Sequence, residues 1–221
     1  MDVFKTKSGK EICITPIKHA SMEINYDGTI IQVDPVIDGA TPVTDYTKWE
    51  KADFILITHD HYDHLDAKAV EDLRKESTII VTNAEGAATL GEGKVMKNGD
   101  TLELLPDLKL YAVAAYNITP GHTQFHPKGR DNGFIMEVDG MRIYIAGDTE
   151  DIEELKDVKD IDVAFLPCNQ PYTMTPEQLR RAADMVKPRV LFPYHYGDTD
   201  TSAILNAMEG SGIDVRIREF Q

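Results

Sequence analysis

Apolar and polar residues alternate along much of this chain in short runs, the period expected of strands that bury one face. The runs predict strands over Glu11–Ile17, Met22–Tyr26, Thr29–Val33, Asp53–Thr58, Thr78–Val81 and Thr101–Leu105. Further strands are predicted over Lys109–Tyr116, Gly133–Val138, Arg142–Ala146, Asp162–Leu166, Arg189–Phe192 and Asp214–Arg218. Asp27-Gly28 and Asp139-Gly140 separate neighbouring runs and read as two-residue hairpin turns. A helical period replaces alternation at Pro176–Val186, where Leu179, Ala182, Ala183 and Val186 form one stripe. Thr175 and Gln178 supply a capping box, Pro176 suits the first turn, and Pro188 ends the run. Asp66 caps a second helix that turns Ala69, Val70 and Leu73 inward, and weaker helical signals cover Ala84–Leu90, Glu150–Leu155 and Thr201–Met208. Hairpins fill the first half and strand–helix alternation the last third, which predicts packed sheets with helices outside. No internal repeat, low-complexity tract or linker divides residues 1–221, so a single domain is expected.

Composition narrows the classes. Of 221 residues, 42% are hydrophobic and 28% charged, as in ordinary soluble globular proteins. No apolar run approaches the roughly 18 residues that a membrane-spanning helix needs. Lys and Arg number 23 against 38 Asp and Glu, a net charge of −15, which argues against a nucleic-acid partner. A local basic pocket for a small anion stays compatible with that charge. Cys13 and Cys168 make no disulfide framework, and Cys13, between Ile12 and Ile14, reads as a small core residue. The first ten residues show no apolar signal region, so a cytoplasmic location is expected. Homo-oligomerisation stays open.

Chemistry concentrates at residues 58–66, Thr-His-Asp-His-Tyr-Asp-His-Leu-Asp. Imidazoles crowded beside carboxylates suit a divalent metal, because neutral imidazole is a borderline-soft donor and carboxylate adds charge. In a straight strand His59 and His61 would share a face with Asp63 in line and His64 opposite. A turn or helix start would instead bring all four together. Other strands also lead into ligand-type residues: Ile30–Val33 into Asp34, Tyr111–Tyr116 into Asn117, His122 and His126, Ile143–Gly147 into Asp148, and Val190–Tyr194 into His195. Sheet enzymes commonly build sites beyond the carboxyl ends of strands.

His59-Asp60-His61-Tyr62-Asp63-His64 resembles the His-x-His-x-Asp-His signature of the metallo-β-lactamase superfamily. Lys18–Ser21, Val33–Pro35, Phe125–Gly129, Ala146–Thr149, Tyr172–Thr175 and Pro193–Gly197 resemble its short metal-dependent hydrolases, a branch that includes ascorbate-6-phosphate lactonase-like proteins. The resemblance implies an α+β fold, an αββα sandwich of two mixed β-sheets flanked by helices, with a two-metal site between the sheets. It implies one ion held by His59, His61 and a third histidine, and another held by Asp63, His64 and His195, with Asp148 bridging. His126 lies inside the branch's own motif and is preferred as the third histidine over His122. Asp34 resembles the superfamily's buried aspartate, an acceptor for a ligand's free ring N–H, and His19 is a further candidate for the site wall. The loop Pro167–Pro171 lacks the glycine pair associated with the branch, so its wall of the pocket differs. Cys168 follows a strand, but the ligand set is complete without it.

The implied chemistry is hydrolysis by a hydroxide generated on two divalent ions, Zn²⁺ or Mn²⁺ with Fe also compatible. The expected substrate is a small ester, lactone or phosphodiester, anionic if Lys128, Arg130, Tyr194 and Tyr196 beside the ligand residues hold a carboxylate or phosphate. Asp63 and Asp148 are the carboxylates assigned to catalysis, Asp63 as the group that orients water or moves a proton. No Gly-x-Ser-x-Gly elbow, phosphate loop or dinucleotide fingerprint offers another mechanism. A superfamily nuclease fits the ligands but not the charge. A di-iron oxygen reductase of the same superfamily would usually carry glutamate where this chain has His61. A metal-dependent sensing or binding role on the same scaffold is the non-enzymatic alternative.

Overall fold

The computed structural model describes residues 1–38 and 43–220. Its first sheet holds β1 (Asp2–Lys5), β2 (Glu11–Lys18), β3 (Ser21–Tyr26), β4 (Thr29–Val33), β5 (Phe54–Leu56), β6 (Ile79–Thr82) and β7 (Lys94–Val95) in sequential order. The second holds β8 (Thr101–Leu105), β9 (Leu108–Ala115), β10 (Asp131–Val138), β11 (Met141–Ile145), β12 (Val163–Pro167), β13 (Val190–Tyr194) and β14 (Asp214–Val215), again in order. Each sheet begins with four antiparallel strands and continues with three parallel ones. The backbone thus repeats a topology that the sequence does not show as a repeat. Both Asp-Gly pairs turn hairpins as expected, pairing Tyr26 with Thr29 and Val138 with Met141. Asp27, Gly28, Asp139 and Gly140 all have positive φ, the conformation a tight two-residue turn requires.

Side-chain alternation builds the layers. On β4 and β5, Ile31, Val33, Phe54 and Leu56 join the large core with Leu108, Leu110, Phe134 and Met136 of the second sheet. The intervening Ile30, Ile55 and Ile57 face outward and pack with Ala69, Val70 and Leu73 of α1 (Ala67–Leu73). Each such side chain contributes about 1.5–3 kcal/mol by leaving water. α2 (Ala84–Leu90) lies by β7, and α3 (Pro176–Val186) packs on β12 and on α4 (Thr201–Met208). The result is the αββα sandwich. The predicted capping box at Thr175 and Gln178 is formed.

Three readings are corrected. The helix expected at Glu150–Leu155 is a single 3-10 turn at Glu153–Asp157, because Glu150 is buried and accepts from the backbone N–H groups of Ile118 and Thr119. Cys13 is half-buried rather than core, since it alternates with the inward Ile12 and Ile14. β1 was absent from the predicted strands: Val3 points outward, while Asp2 is buried against Arg216 and Arg218 beyond β14. No described helix is long and apolar enough to cross a membrane.

Candidate metal centre

The site forms where strands end. His19, Asp34 and His195 are the residues directly after β2, β4 and β13, and all three have left-handed backbones, with φ of 48°, 42° and 47°. Such conformations cost roughly 1–3 kcal/mol each in non-glycine residues and persist only when neighbours fix them. Here the fixing is visible. The His195 N–H donates to the His19 carbonyl at 3.0 Å, and the Ser21 hydroxyl donates to the Asp34 carbonyl at 2.6 Å. Gly147 follows β11 at φ 65°, and a Cβ there would lie 2.8 Å from the Asn132 carbonyl oxygen. Only glycine lets the chain turn so close to β10 and present Asp148.

The segment after β5 is a turn rather than a straight strand, with the His64 and Leu65 N–H groups donating to the His61 carbonyl. The turn brings His59, His61, Asp63 and His64 to one place. Two groups of potential ligand atoms result, His59, His61, His126 and Asp148 in one, and His19, Asp63, His64 and His195 in the other. Within each group the atoms lie within 4.8 Å of one another. Asp148 sits between the groups. Its Oδ2 is 3.2 Å from His126 Nε2 and 3.2 Å from His195 Nε2, and its Oδ1 is 3.3 Å from His64 Nε2. Asp63 Oδ2 is 3.2 Å from His19 Nε2 and 3.6 Å from His195 Nε2.

Neighbouring acceptors set the ring orientations. Asp34, fully buried, accepts from His64 Nδ1 at 2.8 Å, from the Thr58 hydroxyl at 2.8 Å and from the Thr58 N–H at 2.8 Å. Because that hydroxyl donates to Asp34, it accepts from His59 Nδ1 at 3.0 Å. One carboxylate therefore aims a histidine into each group. The Asn117 amide is oriented by donation to the Tyr172 carbonyl, so its oxygen accepts from His126 Nδ1 at 3.1 Å and leaves His126 Nε2 facing the centre. From sequence, Thr58 carries no role and Asn117 is only one of the ligand-type residues at strand ends. Thr58 directly precedes the His-rich motif and Asn117 ends β9's run, but neither position reveals its partner.

Electrostatics agree with a cation-seeking site. Burial pushes the His59 and His61 rings down in pKa, with neighbouring imidazoles adding to the effect, so both stay neutral. Burial opposes charge on His195 as well, but Asp148 outweighs it and the ring rises to about 9. The same contest raises His64, with Asp148 and Asp34 prevailing. Burial disfavours the carboxylate forms of Asp63 and Asp148, yet the surrounding histidines hold both well below the usual range. His64 Nε2, Asp148 Oδ1 and His195 Nε2 are buried and have no hydrogen-bond partner. Unsatisfied buried polar atoms cost about 1–3 kcal/mol each. These atoms belong to a donor set of imidazole and carboxylate that could hold a divalent cation.

The remaining sequence candidates separate cleanly. His126 is buried in the first group, whereas His122 turns away, its Nδ1 lying 3.7 Å from Glu150 Oε1. His19 lines the pocket, its ring tilted by 42° against that of His195 with centroids 3.8 Å apart. Cys168 is buried outside both groups, and burial pushes its thiol up to about 12. Lys128, Arg130, Tyr194 and Tyr196 do not line the pocket. Lys128 pairs with Glu154 and Tyr116, and Arg130 is held by Asp131 and the Phe125 carbonyl with its Nη2 3.2 Å from His61 Nε2. Tyr194 donates to the Gly147 carbonyl inside the core, and Tyr196 to the Arg218 carbonyl. The expected basic clamp for an anion therefore loses its carriers.

The pocket over the two groups has a volume of about 520 Å³, and its walls include Asp60, Tyr62, Phe125, Asn169 and Tyr172. A larger hollow of about 790 Å³ lies at the opposite, N-terminal ends of β11–β13, beside Arg142, Asp162 and Arg189. It contains no histidine and lies away from the strand ends that carry the ligand-type residues.

This fold with this site defines a class, and the beta-lactamase superfamily domain model matches residues 13–195. A UPF0173 metal-dependent hydrolase from Caldivirga maquilingensis is 34% identical over 182 residues, covering 80% of this chain and 79% of its own. A solved structure from Parabacteroides distasonis, described as a candidate metal-dependent hydrolase, is similar at 57% identity and TM-score 0.96, over 100% of this chain and 98% of that one. Igni18, a metallo hydrolase from Ignicoccus hospitalis, is similar at 26% identity and TM-score 0.79, over 95% of each chain. The chain belongs to the beta-lactamase superfamily and, within it, to the UPF0173 family of metal-dependent hydrolases.

Proposed function

We propose that the protein hydrolyses a small ester, lactone or phosphodiester using two divalent ions, Zn²⁺ or Mn²⁺, with Fe also compatible. The observation that carries this reading is the pair of ligand groups straddled by one buried carboxylate, Asp148. His59, His61 and His126 would hold one ion, and Asp63, His64 and His195 the other. Bound there, the ions supply activated water near neutral pH and polarise a carbonyl or phosphoryl oxygen. The chain's own residues prepare that chemistry. Asp34, Thr58 and Asn117 lock the rings so that Nε2 of His64, His59 and His126 faces the centre. Asp63 reaches the pocket and is stabilised as an anion by His19 and His195, so it can hold a proton-bearing water in place. The pocket volume suits a small molecule, and the −15 charge disfavours a nucleic-acid substrate.

The test is a screen of esters, lactones and phosphodiesters with fully loaded and chelated protein. Turnover of at least one class that vanishes on chelation and returns with metal is expected. Absence of turnover in every class at full loading would favour a binding role.

A further inference from the structure

The metal groups occupy the floor of the pocket, and the walls carry a different chemistry. Phe125 and Tyr172 meet edge to face with ring centroids 5.0 Å apart, from separate loops on one side. Tyr62 stands on the rim, 78% exposed, and Tyr172 is 44% exposed. Large aromatic rings left this open beside a cavity normally lose free energy to water, and they recover it when a ligand covers them. The neutral polar wall is Asn169, packed against Gly197. No Lys or Arg is among the described residues lining the pocket, while Asp60 is, with its buried Oδ1 unpartnered.

We infer that the pocket takes a neutral substrate carrying a flat apolar or aromatic group, seated on Phe125 and Tyr172, with its scissile carbonyl toward the histidine floor. This inference rests on the hydrolase reading and narrows it to esters or lactones, away from phosphodiesters and carboxylated substrates. A second anionic group on the ligand would meet Asp60 and the chain's −15 charge with no Lys or Arg in the lining to receive it, since Arg130, behind His61, is already paired with Asp131. The aromatic pair instead offers stacking and apolar area, which reward a ring and ignore a methyl group.

Binding of hydroxamates to the metal-loaded protein tests this without relying on turnover, because the hydroxamate head ligates metal whatever its tail. Benzohydroxamate should bind about tenfold more tightly than acetohydroxamate, and 4-carboxybenzohydroxamate should lose most of that gain. Phe125→Leu and Tyr172→Ala should each shrink the aryl preference while leaving metal content and acetohydroxamate affinity unchanged. Equal binding of the three probes, no binding, tighter binding of the carboxylated probe, or an aryl preference that survives in both variants would overturn the assignment. Phenyl acetate, assayed alongside, separates the two claims. An intact aryl preference with no turnover of phenyl acetate or of any class in the screen at full loading would sink the hydrolase reading alone, and turnover without the preference would sink this one alone.

Discussion

Asp148→Asn is the perturbation that bears most directly on a paired-ion site. The carboxylate has one oxygen 3.3 Å from His64 and the other 3.2 Å from both His126 and His195, so it reaches both ligand groups. Asparagine keeps its size, and Gly147 still permits the turn that presents it. What changes is charge. Two unit charges 4 Å apart interact by about 4 kcal/mol at an effective dielectric of 20, and a divalent ion doubles that. The anion therefore offsets more of the repulsion between two ions than any single neutral imidazole does. Metal analysis should find fewer than two ions per chain with near-normal far-UV circular dichroism. Hydrolysis should fall by roughly 10²-fold or more, as when one well-placed electrostatic partner worth about 3 kcal/mol is removed. A variant that keeps two tightly held ions and wild-type turnover would refute the bridging role.

His126→Ala should remove metal and cut activity by orders of magnitude, whereas His122→Ala should leave metal content unchanged; metal analysis of both decides between them. Asp34→Asn should weaken metal binding by roughly 10–100-fold in chelator competition, because His64 loses its oriented acceptor, and unchanged affinity would count against that role. The Asp2 carboxyl is held below its usual range by its hydrogen bond to Arg218, with burial opposing and Arg216 helping. Its contribution is therefore complete above its ordinary value near 4 and is lost as pH falls through the lower folded value. Asp2→Asn should cost about 1–3 kcal/mol at pH 7 and progressively less below about pH 4 in denaturant titrations, while a constant difference would exclude an ionic clasp.

Local signals carried most of the architecture. Asp27-Gly28 and Asp139-Gly140 marked the β3–β4 and β10–β11 hairpins because the turn demands positive φ, and Thr175, Pro176 and Gln178 marked the start of α3 because capping is a local transaction. β1 was invisible because its most buried residue is the charged Asp2, tolerable only with two arginines more than two hundred residues away. β7 was missed because both of its residues are exposed and it is only two residues long. The His-rich loop announced its chemistry, since no structural requirement gathers imidazoles and carboxylates so closely. Nearness in sequence misled elsewhere. Tyr194 adjoins His195, but strand alternation sends it into the core, while Glu154 takes up Lys128 and Asp131 holds Arg130 behind His61, outside the pocket lining. The choice between His126 and His122 depended on Asn117 and Glu150, contacts that spacing does not encode.

Metal content of the wild-type protein, determined alongside hydrolysis before and after chelation, tests the central claim most directly. Two divalent ions per chain are predicted, with activity lost as they are removed and restored by Zn²⁺ or Mn²⁺. Full turnover in a verified metal-free sample, or a single ion per chain at saturating metal with full activity, would contradict the paired site.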